Sequence, residues 1–228
     1  MDNKPEVKIR TICIDTLTGI QNEVYMSESK KPGYDDWLDY GKDIWQLISF
    51  LQEKKFNIIM VIGEPGSGKS TGMRTLPKDT NVWINADRKD PVWEGGRAEY
   101  GKMYSPRLPY HFVPKSYADI KAHITALIDR KLLEDEVFVI LTGHVEDYKS
   151  GTQSKRKLKT LGKMSSKMQL EGRLNSVFYS NVVKESTGNK YVLETQTDGT
   201  NTARSPMGLF EAVIDNDYNF IVEKLLSY

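Results

Sequence analysis

The chain is poor in the residues that mark several protein classes. One cysteine, Cys13, in 228 residues excludes a disulfide framework or a cysteine-built metal site; within its apolar run it reads as a small buried hydrophobe. No apolar run is long enough for a membrane-spanning helix, and Met1 to Glu6 lack the apolar core of a secretory signal, so the expected setting is cytoplasmic, without a membrane partner. Charge of one sign is also missing: 32 Lys and Arg against 31 Asp and Glu leave +1. A nucleic-acid partner would therefore have to meet a local basic patch rather than the field of the whole molecule. Internal repeats and low-complexity segments are absent. What remains, 39% hydrophobic and 28% charged, is the composition of one large domain or of a domain with a small appendage.

Against that background one stretch stands out. Gly63-Glu64-Pro65-Gly66-Ser67-Gly68-Lys69-Ser70 fits the phosphate-loop pattern G-x-x-x-x-G-K-[ST] at every fixed position. The apolar run Phe56 to Ile62 before it reads as a buried strand, and Thr71 to Leu76 after it can begin a helix. Glycines let successive backbone N–H groups approach phosphate oxygens, and a helix N-terminus favours the anion. Lys69 would reach the β- and γ-phosphates, the Ser70 hydroxyl would ligate Mg²⁺, and Gly63 to Thr71 together would hold a nucleoside triphosphate. No Asn-Lys-x-Asp guanine-reading motif is present, which leans towards ATP.

The pattern elsewhere predicts alternating strands and helices. Lys8 to Thr16, Thr80 to Asp87 and Glu136 to His144 read as strands, each closing on polar residues. Asp35 to Lys54, with Trp37, Leu38, Ile44, Trp45, Ile48 and Leu51 at helical spacing, and Tyr117 to Leu133, capped by Ser116, read as amphipathic helices. Arg88 to Pro114 reads as irregular. Asn175 to Val183 and Lys190 to Thr195 flank the turn signal Ser186-Thr187-Gly188-Asn189 and predict a hairpin; the tail from Met207 mixes apolar runs with acids. The alternation implies an α/β fold, a mostly parallel sheet with helices on both faces, whose ligand lies beyond the carboxyl ends of the strands.

Those strand ends offer chemistry. Ile12-Cys13-Ile14-Asp15 has the form of a Walker-B strand, with Asp15 a metal acid facing Ser70; an aspartate capping a turn has the same pattern. Asp87 is the candidate for activating a water, or else a solvated turn residue. Thr142 and His144 close a third strand, where His144 is either a γ-phosphate sensor or a buried, satisfied histidine. From Lys149 to Lys167 seven basic residues (Lys149, Lys155, Arg156, Lys157, Lys159, Lys163 and Lys167) occur without an acid. Such a run is either a phosphate-backbone grip or a solvated loop. Tyr148 and Tyr179 stand near it as possible base-stacking partners, Tyr179 also reading as core.

Together these residues resemble a RecA-like P-loop ATPase core, and more narrowly the short phage-encoded Sak-type single-strand-annealing ATPases. Gly63 to Ser70 resembles their phosphate loop, Ile12 to Thr16 their Walker-B strand, and Trp83 to Pro91 the strand whose acid, here Asp87, activates water. Leu141 to His144 resembles the sensor strand and Thr202 to Phe210 the C-terminal segment. The resemblance implies a single domain: residues 8–54 as Walker-B strand and helix, 56–144 as nucleotide core, 145–170 as a mobile basic DNA-contacting loop, and 171–228 as a C-terminal hairpin and tail. It implies an ATPase using ATP and Mg²⁺, binding single-stranded DNA in annealing or recombination, assembled as a homo-oligomeric ring or filament. Arg204 would be a finger towards a neighbouring subunit, and the location a bacterial host's cytoplasm. In that family the Walker-B strand follows the phosphate loop; here the matching segment precedes it, which implies rearranged strand connectivity. A small-molecule P-loop kinase, a motor ATPase and a binding module without turnover are the competing classes; no arginine-rich lid of the kinase kind is present.

Overall fold

The computed structural model describes residues 7–20, 34–160 and 170–228. In chain order these are β1 (Ile9–Asp15), α1 (Tyr34–Glu53), β2 (Asn57–Gly63), β3 (Asn81–Asn85), α2 (Gly96–Tyr100), β4 (Gly101–Lys102), β5 (Ser105–Pro106), β6 (His111–Phe112) and α3 (Tyr117–Asp129). There follow β7 (Leu133–Ser150), β8 (Gln153–Leu158), β9 (Ser176–Glu185), β10 (Gly188–Glu194), β11 (Val213–Asp215) and α4 (Tyr218–Leu226). The described residues form a nine-stranded sheet in the order β11-β10-β9-β2-β7-β1-β3-β6, with β8 paired to β7 beside this path. β9, β2, β7, β1, β3 and β6 run parallel to their neighbours; the β7–β8, β9–β10 and β10–β11 pairings are antiparallel. This is an α/β fold with a large, mostly parallel mixed sheet.

The period of two along the strands divides the core. Ile12 and Ile14 of β1, Met60 and Ile62 of β2 and Val139 and Leu141 of β7 face a layer made by Ile44, Leu47, Ile48 and Leu51 of α1 and Ile120, Ile124 and Leu127 of α3. Cys13, Ile59, Val61, Phe138 and Ile140 face the other way, onto Met73 and onto Tyr218, Ile221 and Val222 of α4. Helices therefore cover both faces. Their starts are capped as their sequences dictate: the Ser116 hydroxyl accepts from the Asp119 N–H at 3.2 Å, and the Asp217 carboxylate accepts from the Phe220 N–H at 2.9 Å. The side chains of Trp37 and Leu38 lie outside the described set.

β7 pairs with β1 on one side and β2 on the other, so it stands between the strand closing on Asp15 and the strand feeding the glycine-rich loop. It is also longer than its sequence suggests. Rather than stopping at His144 it runs to Ser150, turns at Gly151 (φ +64) and returns as β8. The expected basic loop over residues 145–170 is thus, as far as Leu158, an antiparallel hairpin. Its strands hold because opposite charges sit across from each other: Glu146 faces Lys157 and Asp147 faces Arg156. The segment Arg88 to Pro114, read as irregular, contains α2, the β4–β5 ribbon and β6. The C-terminal hairpin β9–β10 joins the main sheet through β9, parallel to β2.

Ile140 sits in the middle of β7, 1% exposed. Ile140→Ala should therefore lower unfolding free energy by about 2–5 kcal/mol, measured by denaturant titration; a loss under about 1 kcal/mol would contradict the central placement of β7.

Candidate functional site

The loop leaving β2 is built around close backbone approaches. A Cβ on Gly63 would fall 2.5 Å from Ser67 Oγ and 2.6 Å from the Ser180 carbonyl. Gly68, at φ +96, lies against the Tyr191 ring and the Asn216 amide, a position that only glycine fills without strain. The Ser67 N–H returns to the Glu64 carbonyl at 3.1 Å. The expected helix after Thr71 is one short 3-10 helix, Ser70–Thr75, and Pro77 follows Leu76 too closely for an α-helix to continue. Ser70 and Thr71 open that helix, the position from which backbone N–H groups face an anion.

Lys69 is 5% exposed and folds back over the loop, donating to the carbonyls of Gly63 and Glu64, both at 2.8 Å. Burial pushes its ammonium down from 10.5 to about 8, against the opposing pull of Asp15, Asp87 and Glu64. Three carbonyls on the outer side of the loop are held by later parts of the chain. Ser180 Oγ donates to the Ser67 carbonyl at 2.7 Å, Asn216 Nδ2 to the Gly68 carbonyl at 2.7 Å, and the Tyr218 hydroxyl to the Lys69 carbonyl at 2.5 Å. Lys69 and these later groups together occupy the carbonyls of Gly63, Glu64, Ser67, Gly68 and Lys69.

Asp15 is 2% exposed and lies across β7 from the loop. Thr142 Oγ1 donates to its carboxylate at 2.5 Å. Burial raises the Asp15 carboxyl, and the hydroxyls of Ser70 and Thr142 oppose that rise, so Ser70 and Asp15 face each other as expected. The chain then turns through a cis Asp15–Thr16 peptide, and the Asp15 carbonyl accepts the N–H groups of Ala86 and Asp87 at 2.7 and 3.0 Å. Asp87 is thereby fixed beside Asp15. Thr16 Oγ1 donates to its Oδ1 at 2.8 Å and Lys89 Nζ pairs with its Oδ2 at 2.8 Å.

His144 stands directly opposite Gly63 in the β2–β7 register. It is half-buried, its Nδ1 has no hydrogen-bond partner among the described residues, and burial followed by the charge of Lys69 lowers its pKa, favouring the neutral imidazole. The structure thus brings Lys69, Ser70, Asp15, Asp87, Thr142 and His144 to one edge of the sheet. Among the described residues no group of three or more His, Cys, Asp or Glu is placed to hold a metal. The Asp15–Ser70 pair suits Mg²⁺, which keeps several waters and takes one or two protein oxygens plus phosphate.

Arg204 is not part of that edge. Its backbone pairs with Val177 in both directions at 2.9 Å, and Val177 is aligned with Met60, well short of Gly63; the arginine is exposed on the flank of the sheet. The basic residues divide. Arg156 pairs with Glu194 at 3.0 Å and covers the Tyr179 ring, and Lys157 pairs with Glu146 at 3.2 Å and lies over Tyr148. The run contains no acid of its own, but these two of its members are matched by acids from outside it. Among the described residues no acid pairs with Lys149, Lys155 or Lys159. Lys163 and Lys167 lie outside the described residues. Tyr179 is core, 1% exposed, with its hydroxyl bound to Thr202 and the Arg156 carbonyl.

A groove of about 410 Å³ lies at the other end of the sheet, between Phe56–Ile59 and Leu174–Ser176. Its Arg173 is committed to Ser49, Gln52 and the Trp45 ring, and none of the strand-end groups reaches it.

Sequence reasoning did not find Ser180, Tyr191, Asn216 and Tyr218, which shape the loop, or Lys89, which holds Asp87 together with the strand-end Thr16. The Asn216-Asp217 pair ahead of an apolar run was a legible helix start, but nothing local links it to a loop far earlier in the chain. Neither a scan of protein families nor searches of curated proteins and of solved structures finds a match to this chain.

Lys69 binds its proton less tightly folded (about 8) than unfolded (10.5). Between those values the unfolded chain holds more protons, so this residue makes stability rise with pH across that window and adds no slope below it. Chemical denaturation from pH 7 to 10.5 should show this rise in the wild type relative to Lys69→Met; parallel profiles would reject the buried-ammonium geometry.

Proposed function

We propose that the chain is a Mg²⁺-dependent ATPase of the RecA-like P-loop kind that grips single-stranded DNA. The observation that carries the proposal is the convergence of a phosphate-loop lysine, Lys69, with Ser70 and the buried Asp15 across a strand ending in Thr142 and His144. The order β2-β7-β1-β3 supports the RecA-like reading. In that order the strand carrying Thr142 and His144, read here as the sensor strand, lies between the loop strand and the Asp15 strand, with the Asp87 strand next. The unusual chain order, β1 before β2, leaves this spatial order intact, and a site is recognised by geometry rather than by chain order.

In this mechanism Lys69 leaves the carbonyls of Gly63 and Glu64 and turns to the β- and γ-phosphates, which restore the charge partner that its buried ammonium lacks. Ser70 and Asp15, the latter directly or through water, would hold Mg²⁺, which when bound would supply neutralisation of developing phosphate charge. Asp87 accepts the proton of a water that attacks the γ-phosphorus as the bond to the bridging oxygen breaks, yielding ADP and inorganic phosphate. Neutral His144, beside Gly63 with a buried Nδ1 that has no partner among the described residues, senses the γ-phosphate and passes its loss into the β7–β8 hairpin that continues from it. Lys149, Lys155 and Lys159 on and beside that hairpin meet the DNA backbone, with the part-exposed Tyr148 among them for stacking. The exposed Arg204 is offered to a neighbouring subunit in a ring or filament.

Lys69→Ala should abolish nucleotide binding. Asp15→Asn should cut Mg²⁺-dependent ATP turnover by about 10–100-fold while leaving the chain folded. Wild-type turnover in either variant would overturn the site, and phosphate transfer to a nucleotide acceptor in preference to water would favour a kinase.

Replacing Lys149, Lys155 and Lys159 together by Gln should weaken single-stranded DNA binding and reduce its log–log salt slope by roughly 2, at about 0.7 per contact. Arg156→Gln should act through stability instead, because its partner is Glu194. Unchanged DNA affinity in the triple variant would leave the hairpin as solvated surface.

A further inference from the structure

Lys89 lies two residues beyond Asp87 on a fixed base. Its N–H donates to Asn85 Oδ1 at 3.2 Å and its carbonyl accepts from Asn85 Nδ2 at 2.6 Å, while the preceding Arg88 takes a left-handed φ of +52. The side chain is 63% exposed, yet its ammonium reaches inward to Asp87, whose side chain is 11% exposed. Asp87 is tied through its backbone to Asp15, and Asp15 in turn faces Ser70, so the ammonium belongs to the same strand-end edge as Lys69. The charge of Lys89 acts on both Lys69 and His144, in each case disfavouring the cation. An ion pair whose cation stands largely in water contributes little to stability, so stability alone does not account for a second cation at this edge. A doubly charged terminal phosphate is a stronger partner for it than one carboxylate.

Resting on the nucleotide site proposed above, we infer that Lys89 reads the terminal phosphate: when a nucleoside triphosphate fills the loop, its ammonium exchanges the Asp87 carboxylate for γ-phosphate oxygens. A diphosphate offers no group at that distance from the loop, so Lys89 stays on Asp87. The exchange links occupancy to chemistry, because the acid that receives the water proton loses its ammonium cover when there is a phosphate to attack. Thr16 keeps Asp87 oriented through Oδ1 in both states, and the Asn85 clamp confines the movement to the lysine stem.

The test is calorimetric titration of the full chain with Mg²⁺–ADP and with the Mg²⁺ complex of the non-hydrolysable β,γ-imido triphosphate, for wild type, Lys89→Ala and Lys89→Arg. Lys89→Ala should bind ADP within about twofold of wild type and the triphosphate analogue at least tenfold more weakly; Lys89→Arg should recover most of the difference. Retained ADP binding also shows that the alanine variant folds. Equal losses for both nucleotides, or none, would overturn the role of Lys89 while leaving the nucleotide site standing. Failure of the wild type to bind either nucleotide would overturn both.

Discussion

A carboxylate taken out of water is tolerated only where hydrogen bonds or opposite charge replace its hydration, and Asp15 is the carboxylate around which this fold is arranged. Its compensation comes from two places, the Thr142 hydroxyl on β7 and the Ser70 hydroxyl at the foot of the loop. For both donors to arrive, β7 must separate β1 from β2, and the loop must fold down so that its short helix starts over β7. The same carbonyl end of β1 fixes Asp87 by accepting its N–H. Sheet order, loop direction and the placement of the second acid are thus answers to one electrostatic demand.

The edge beyond the strand ends is organised by a second carboxylate, Glu194. It accepts from Asn181 at 2.5 Å, from Asn201 at 2.8 Å and from Arg156 at 3.0 Å. One side chain on β10 therefore joins the β7–β8 hairpin to the β9–β10 hairpin and to the loop that leads back to Arg204. A rigid connection of this kind is what a change at the loop would need in order to be felt at the hairpin lysines, because both hairpins continue strands that flank β2.

What could be read in the sequence was whatever is local or periodic. The glycine-rich loop, the strands β1, β3 and β9, and the helices α1 and α3 announce themselves through spacing, and the α/β class follows from their alternation. Asp15 and Asp87 were legible as strand-end acids because apolar runs point at them. The continuation of β7 past His144 was not, since Glu146 to Lys149 is polar and looks like a loop until its partner strand is known. For the same reason the basic run looked unopposed: Glu146 precedes it by a few residues and Glu194 follows it by many, and only pairing brings them across from Lys157 and Arg156. The carbonyl clamps from Ser180, Asn216 and Tyr218 reach back 113, 148 and 149 residues along the chain and have no local signature.

Those last contacts have a consequence for how the molecule comes into being. The groups that hold the Gly68 and Lys69 carbonyls, Asn216 and Tyr218, lie 148 and 149 residues further along the chain and are made correspondingly later. A nascent chain carries the whole motif long before it carries the scaffold that gives the motif its curvature, and closing so long a connection is slow in entropic terms. The loop is therefore finished only after a much later part of the chain has been made. A chain that stops before Asn216 would keep every letter of the signature and lose the shape that the signature stands for.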